Sequence, residues 1–144
     1  MIKKLLFACA LFAAFTTVSA NERPIDASQL PAAAQTFIKS NFQNIEIAFV
    51  EEDVDFASTS YDVLMKDGSK IEFDGSGNWK EIDCEYTEVP AAVIPQGIVT
   101  YISAKHPGFK VVKIDRKRYG YEVELNNKLE IKFAHDCSVL GYDD

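Results

Sequence analysis

The chain is poor in the residues on which catalysis and redox chemistry are usually built. Its 144 residues include two histidines, three cysteines and one tryptophan. His106 falls at a predicted helix end and His135 at a turn. Nothing in their spacing sets a base beside a nucleophile, so they read as surface residues and no catalytic residue is assigned. C-x-x-C is absent, which argues against a dithiol redox enzyme. No glycine-rich phosphate loop and no zinc-ligand spacing occurs. Positive charge is scarce, with 15 Lys and Arg against 22 Asp and Glu. That balance speaks against nucleic acid or an anionic membrane as partner. The apolar run Leu5 to Phe15 falls short of the ~20 residues of a spanning helix.

The same run is instead the core of a secretory signal. Lys3 and Lys4 precede it, and Val18-Ser19-Ala20 is a small-residue cleavage site. Cleavage after Ala20 is expected, with a periplasmic or secreted product. A lipobox ending at Cys9 is the competing reading, with only four apolar residues and the bulky Phe7 in its disfavour. Removing the signal takes away two lysines and no acid, so the formal charge moves from −7 to −9. At 47% apolar and 12% aromatic residues, signal included, the chain is no disordered polymer.

What the chain does have is an internal repeat. Tyr61, Val63, Ile71 and Phe73 recur as Tyr121, Val123, Ile131 and Phe133. Both copies alternate apolar and polar residues around a polar turn, Asp67-Gly68 or Asn126-Asn127, as a half-buried β-hairpin does. A helix is predicted before each copy. The first starts at Ser28 or Leu30 with Pro31 in its opening turn, carries Ala34, Phe37, Ile38 and Phe42, and ends near residues 41–44. The second starts at Ile94-Pro95 and ends at Pro107-Gly108. Strands are expected at residues 45–49, 61–66, 70–74 and 79–84, then at 110–115, 119–126, 128–134 and 138–142. Residues 51–60 read as an acidic turn and 85–93 as a linker. The resulting fold class is α+β: a tandem repeat of helix plus four antiparallel strands, forming one long sheet with both helices on one face. The units run from 21 to 89 and from 90 to 144. A cystatin-like sheet wrapped on one helix is disfavoured by the second helix.

The paired Leu30-Pro31 and Ile94-Pro95 helix starts, the YDV…DG…IEFD…G.W segment from Tyr61 to Trp79 and its weaker second copy resemble the PepSY-like family of exported bacterial proteins. The resemblance runs from Leu30 to the C-terminus. It implies a fold like that of beta-lactamase inhibitor proteins, which bind through a sheet face, and implies no established activity. The second copy departs from the pattern where Ala134-His135-Asp136-Cys137 stands in place of Asp74-Gly75-Ser76-Gly77.

Function is therefore expected to be non-catalytic: an exported binding module, inhibitor-like, with a protein or peptide partner in the envelope and no cofactor. The alternatives are a structural or sensory envelope protein, or a calcium-binding module. For calcium, Asp74, Ser76 and Asn78 alternate as oxygen ligands, but Trp79 stands where an EF-hand requires glycine, so no metal ligand is assigned. The runs Glu51, Glu52, Asp53, Asp55 and Lys113, Arg116, Lys117, Arg118 read as solvated hairpin tips or as steering charges. Cys84 and Cys137, an even pair in an exported chain, are expected to form a disulfide. With Tyr61, Val63 and Met65 turned toward the helices, alternation sends Asp62, Glu72, Glu122 and Glu124 to the open face. The same phase puts Glu81 and Trp79 there, with Trp79 as aromatic anchor, unless a bulge at Gly77-Asn78 buries the tryptophan.

Overall fold

The computed structural model describes residues 21–143. The expected signal cleavage site and Cys9 lie outside the described residues. Two α-helices, α1 (Ala32–Asn41) and α2 (Gln96–Lys105), pack on one side of a nine-stranded antiparallel sheet. The strands are β1 (Glu22–Pro24), β2 (Ile47–Val54), β3 (Thr59–Met65), β4 (Lys70–Asp74), β5 (Trp79–Asp83), β6 (Val111–Lys117), β7 (Gly120–Leu125), β8 (Glu130–Ala134) and β9 (Val139–Asp143). They lie in the sheet in their sequence order.

The helices form where the sequence allows them to start and stop. Pro31 and Pro95 stand at the N-caps, where proline's fixed φ suits a helix start. Asn41 and Lys105 are the last helical residues, and left-handed Gly108 follows α2. Ala34 and Ile38 of α1, and Ile98 and Ile102 of α2, are buried against Val63, Ile71 and Phe73 in one unit and Val123, Ile131 and Phe133 in the other. The repeat extends to ring geometry. Phe37 meets Phe73 edge-on at 5.7 Å, and Tyr101 meets Phe133 edge-on at 5.6 Å. Full burial of Phe73 and of Phe133 contributes roughly 1.5–3 kcal/mol each.

Four expectations need correction. Residues 22–24 are an added edge strand paired to β2, held by Arg23–Glu52 at 2.7 Å. The acidic stretch after Phe49 is strand as far as Val54, because Glu51, Glu52 and Asp53 pair with Asp62, Tyr61 and Ser60. Trp79 does not face solvent. It is 6% exposed and sits opposite Phe73, with the Arg116 guanidinium 3.9 Å from its ring centre. The phase change comes at Lys80, the extra residue between Trp79 and Glu81, rather than at Gly77-Asn78.

The fourth concerns the cysteines, whose thiols are both free. Cys84 follows β5 at the end of the sheet next to Ser69, and its amide donates to the Val112 carbonyl. Cys137 lies in the β8–β9 turn at the opposite end, against α2's first turn at Gly97. Three strand spacings, about 14 Å, also separate β5 from β8. A disulfide requires Cα atoms within ~7 Å. Burial pushes the Cys84 thiol above its ordinary pKa, the state of a structural cysteine.

Candidate binding face

Side chains alternate across the sheet, so the strand positions that alternate with the helix-side core form the opposite, open face. Strand register decides what that face looks like. Glu51 is opposite Asp62, Asp62 opposite Glu72, Glu72 opposite Glu81, Glu81 opposite Asp115, and Asp115 opposite Glu122. Six strands, β2 to β7, thus place six carboxylates in a single row, which Lys132 of β8 ends. At about 4.8 Å per strand the row spans about 24 Å. Like charges directly opposite each other on a sheet are destabilising.

The row carries the marks of that conflict. Asp62 is held above its ordinary pKa, by burial first and then by Glu72, Asp53, Glu22 and Glu81. Glu51 is raised by burial and by Glu22. Asp115 is pushed up to about 6, by burial and by Glu81, with Lys113 and Lys117 opposing. Its Oδ1 is shut off from solvent without a hydrogen-bond donor. Lys113 is raised by its hydrogen bond to Glu81, at 2.9 Å.

A second row runs beside the first: Phe49, Leu64, Lys70, Asp83, Lys113, Glu124, Glu130 and Asp143. Where the two rows meet in the first unit there is a hollow of about 250 Å³. Phe49 and Leu64 line it with Glu51, Asp62, Glu72, Glu81, Asp83 and Lys70. The corresponding space in the second unit, among Lys113, Asp115, Glu122, Glu124 and Glu130, is about 20 Å³. The open face is thus mostly acidic, with an apolar floor in one unit only.

Of the site residues expected from sequence, Asp62, Glu72, Glu81, Glu122 and Glu124 belong to this face, and Trp79 belongs to the core. Sequence reasoning missed Glu51 and Asp115, the row's members on β2 and β6. Glu51 was read as a turn residue, and Asp115 only as the last residue of a strand. The signal that could have found them is the four-residue difference between the repeats. Phe49 aligns with Lys113 at a separation of sixty-four, whereas Tyr61 aligns with Tyr121 at sixty.

Both histidines are engaged elsewhere. His106 Nε2 lies 3.2 Å from the Tyr142 hydroxyl, itself bonded to the Tyr101 hydroxyl, and His135 Nε2 lies 2.8 Å from the Arg118 carbonyl oxygen. The Asp74 carboxylate accepts the amides of Ser76 and Asn78, which closes the β4–β5 turn. Among the described residues no group of three or more acidic, histidine or cysteine side chains is arranged to hold a metal ion.

The family described as putative beta-lactamase-inhibitor-like, PepSY-like, matches residues 13–57 and 59–140, with the break between β2 and β3. The chain belongs to this family. Three solved relatives share the architecture. A putative periplasmic protein from Bacteroides vulgatus ATCC 8482 is 40% identical, with a TM-score of 0.84 over 88% of this chain and 100% of that one. A putative calcium-regulated periplasmic protein from Bacteroides thetaiotaomicron is 41% identical, with a TM-score of 0.82 over 85% and 97%. A third, a putative periplasmic protein of unknown function from Bacteroides vulgatus ATCC 8482, is 40% identical, with a TM-score of 0.81 over 85% and 99%. Functionally curated proteins give no match. Among the described residues of the PepSY-like chain no helix is long and apolar enough to cross a membrane.

Proposed function

We propose that this PepSY-like protein is a non-catalytic binding module of the bacterial cell envelope, periplasmic or secreted, that holds a basic protein or peptide on its open sheet face. The observation that carries this reading is the row of six carboxylates from Glu51 to Glu122. A face that repels itself is relieved when a cationic partner lands on it, and complementary charge sets specificity and association rate. The periplasmic description of the solved relatives is consistent with an envelope location. The test is affinity capture from envelope extract. Paired Glu72→Lys and Glu122→Lys substitutions, and raised salt, should each lower retention of the wild-type partner at least tenfold. A partner retained equally by the reversed face would overturn the reading.

A calcium-responsive module is the second reading, favoured by the description of the Bacteroides thetaiotaomicron relative. Calorimetric titration of the exported protein with calcium chloride tests it, and a heatless titration removes it.

A further inference from the structure

The two units pose the same geometric question at the same place on the open face and answer it differently. Phe49 of β2 stands opposite Leu64 of β3, next to the Glu51–Asp62 pair. Lys113 of β6 stands opposite Glu124 of β7, next to the Asp115–Glu122 pair. In the second unit the acidic surroundings therefore contain their own cation. The Lys113 amino group binds Glu81 at 2.9 Å and is drawn further by Asp115 and Asp83, and little space is left beside it. In the first unit the lysine is replaced by Phe49, which is 43% exposed, and the hollow of about 250 Å³ stands open.

Building on the open-face reading, we propose that this hollow takes one lysine or arginine side chain of the partner, as a cation at the register position that Lys113 holds on β6. The alkyl stem lies along Phe49 and Leu64, where a long basic side chain buries its methylenes while its head stays polar. The head reaches Glu51 and Asp62, neither of which forms a salt bridge among the described residues. The Phe49 ring adds a cation–π contact. Lys70 lines the same hollow, likewise without a salt bridge, and Lys80 is tied to Glu72 at 3.2 Å, so Glu51 and Asp62 are the carboxylates left to the incoming head.

The probe is tetralysine, titrated at low salt into the ¹⁵N-labelled exported protein, with the fully Nε-acetylated peptide as comparison. Tetralysine should shift the amide resonances of Phe49, Asp62 and Leu64, and the acetylated peptide should bind at least tenfold more weakly. Phe49→Lys gives the first unit the arrangement of the second, where the fold tolerates it, and should lower tetralysine affinity at least tenfold. Leu64→Lys, on the facing strand, should do the same. Equal binding of the acetylated peptide, or unchanged affinity in both variants, would overturn the proposal. Shifts confined to Glu72, Glu81 and Glu122 would also overturn it, while leaving the open-face reading in place. With no shift on the face at all the hollow is excluded, and partner capture through Glu72 and Glu122 then judges the broader reading separately.

Discussion

The helix–turn contact is built twice in this molecule, with the glycine on opposite sides. In the first unit the β4–β5 turn gives up its side chain. A methyl on Gly77, at φ +88, would come within 2.8 Å of the Ala34 amide nitrogen. In the second unit the turn keeps a side chain, Cys137 at φ +67, and the helix gives one up. A methyl on Gly97 would come within 2.7 Å of the Cys137 Cβ. A related exchange occurs at the hairpin tips, where Gly68 at φ +91 is matched by Lys128 at φ +74. The backbone is thus repeated more faithfully than the sequence. What persists is the empty volume between helix and turn, and either partner can supply it. The second unit bears the larger conformational cost, because left-handed backbone disfavours residues with a Cβ by roughly 1–2 kcal/mol.

The largest way to break the likeness of the units is at the Trp79–Val139 position. Trp79 is buried beneath Arg116 and opposite Phe73, whereas Val139 is half-buried near the sheet edge. Trp79→Ala should cost about 3–5 kcal/mol, and Val139→Ala about 1 kcal/mol, measured by urea unfolding. Equal costs would place the two cores on a par. Next comes the exchanged glycine. Gly97→Ala should destabilise by about 1–3 kcal/mol through overpacking. Adding Cys137→Gly, which recreates the first unit's arrangement, should recover most of that loss. A double variant no better than the single would refute the exchange.

A smaller effect separates the open faces by pH. Asp115 is charged less readily in the folded protein than its ordinary value implies: burial first, then Glu81 and Glu122, push its pKa up to about 6 against the lowering effect of Lys113 and Lys117. A carboxylate raised on folding removes stability above its folded pKa and restores it as pH falls toward its unfolded value. Asp62 and Glu51 act in the same direction. The melting temperature should therefore rise as pH is lowered from 7.5 to 5. Asp115→Asn should flatten that rise and stabilise the protein at pH 7.5 by about 1 kcal/mol. A melting temperature that falls steadily over this window would contradict the account. The smallest effect is at the hairpin tips: Lys128→Gly should be stabilising by about 0.5–1 kcal/mol, since the backbone already adopts glycine's conformation.

Hairpin alternation and the recurrence of Tyr61, Val63, Ile71 and Phe73 were enough to read the sheet, the two helices and the helix-side core, because those features depend on local period. The properties that escaped depend on register. Trp79 changes face because Lys80 is an extra residue against β4, and an extra residue has no local signature in Asn78-Trp79-Lys80. Four members of the carboxylate row were legible from alternation. That they form one line with Glu51 and Asp115 depends on how six strands align. β1 escaped for another reason: Glu22-Arg23-Pro24 has no apolar alternation, and the segment is strand only because β2 offers it an edge. The cysteine pair failed because an even count says nothing about which end of the sheet each residue occupies.

The unbroken strand order from β1 to β9 also bears on how the molecule is made. Six of the eight strand pairings are hairpins and only β1–β2 and β5–β6 close across a helix, so the loop-closure entropy that slows many β-proteins is small at most steps. A chain delivered N-terminus first can zip each hairpin of β2–β5, and then of β6–β9, onto the last as it arrives. The first helix and β1 to β5 can assemble before the second helix has emerged. The most recently docked strand serves as the template for the next, and its bare edge persists only until the following turn closes, except at β5, whose edge waits for α2 to be made before β6 covers it.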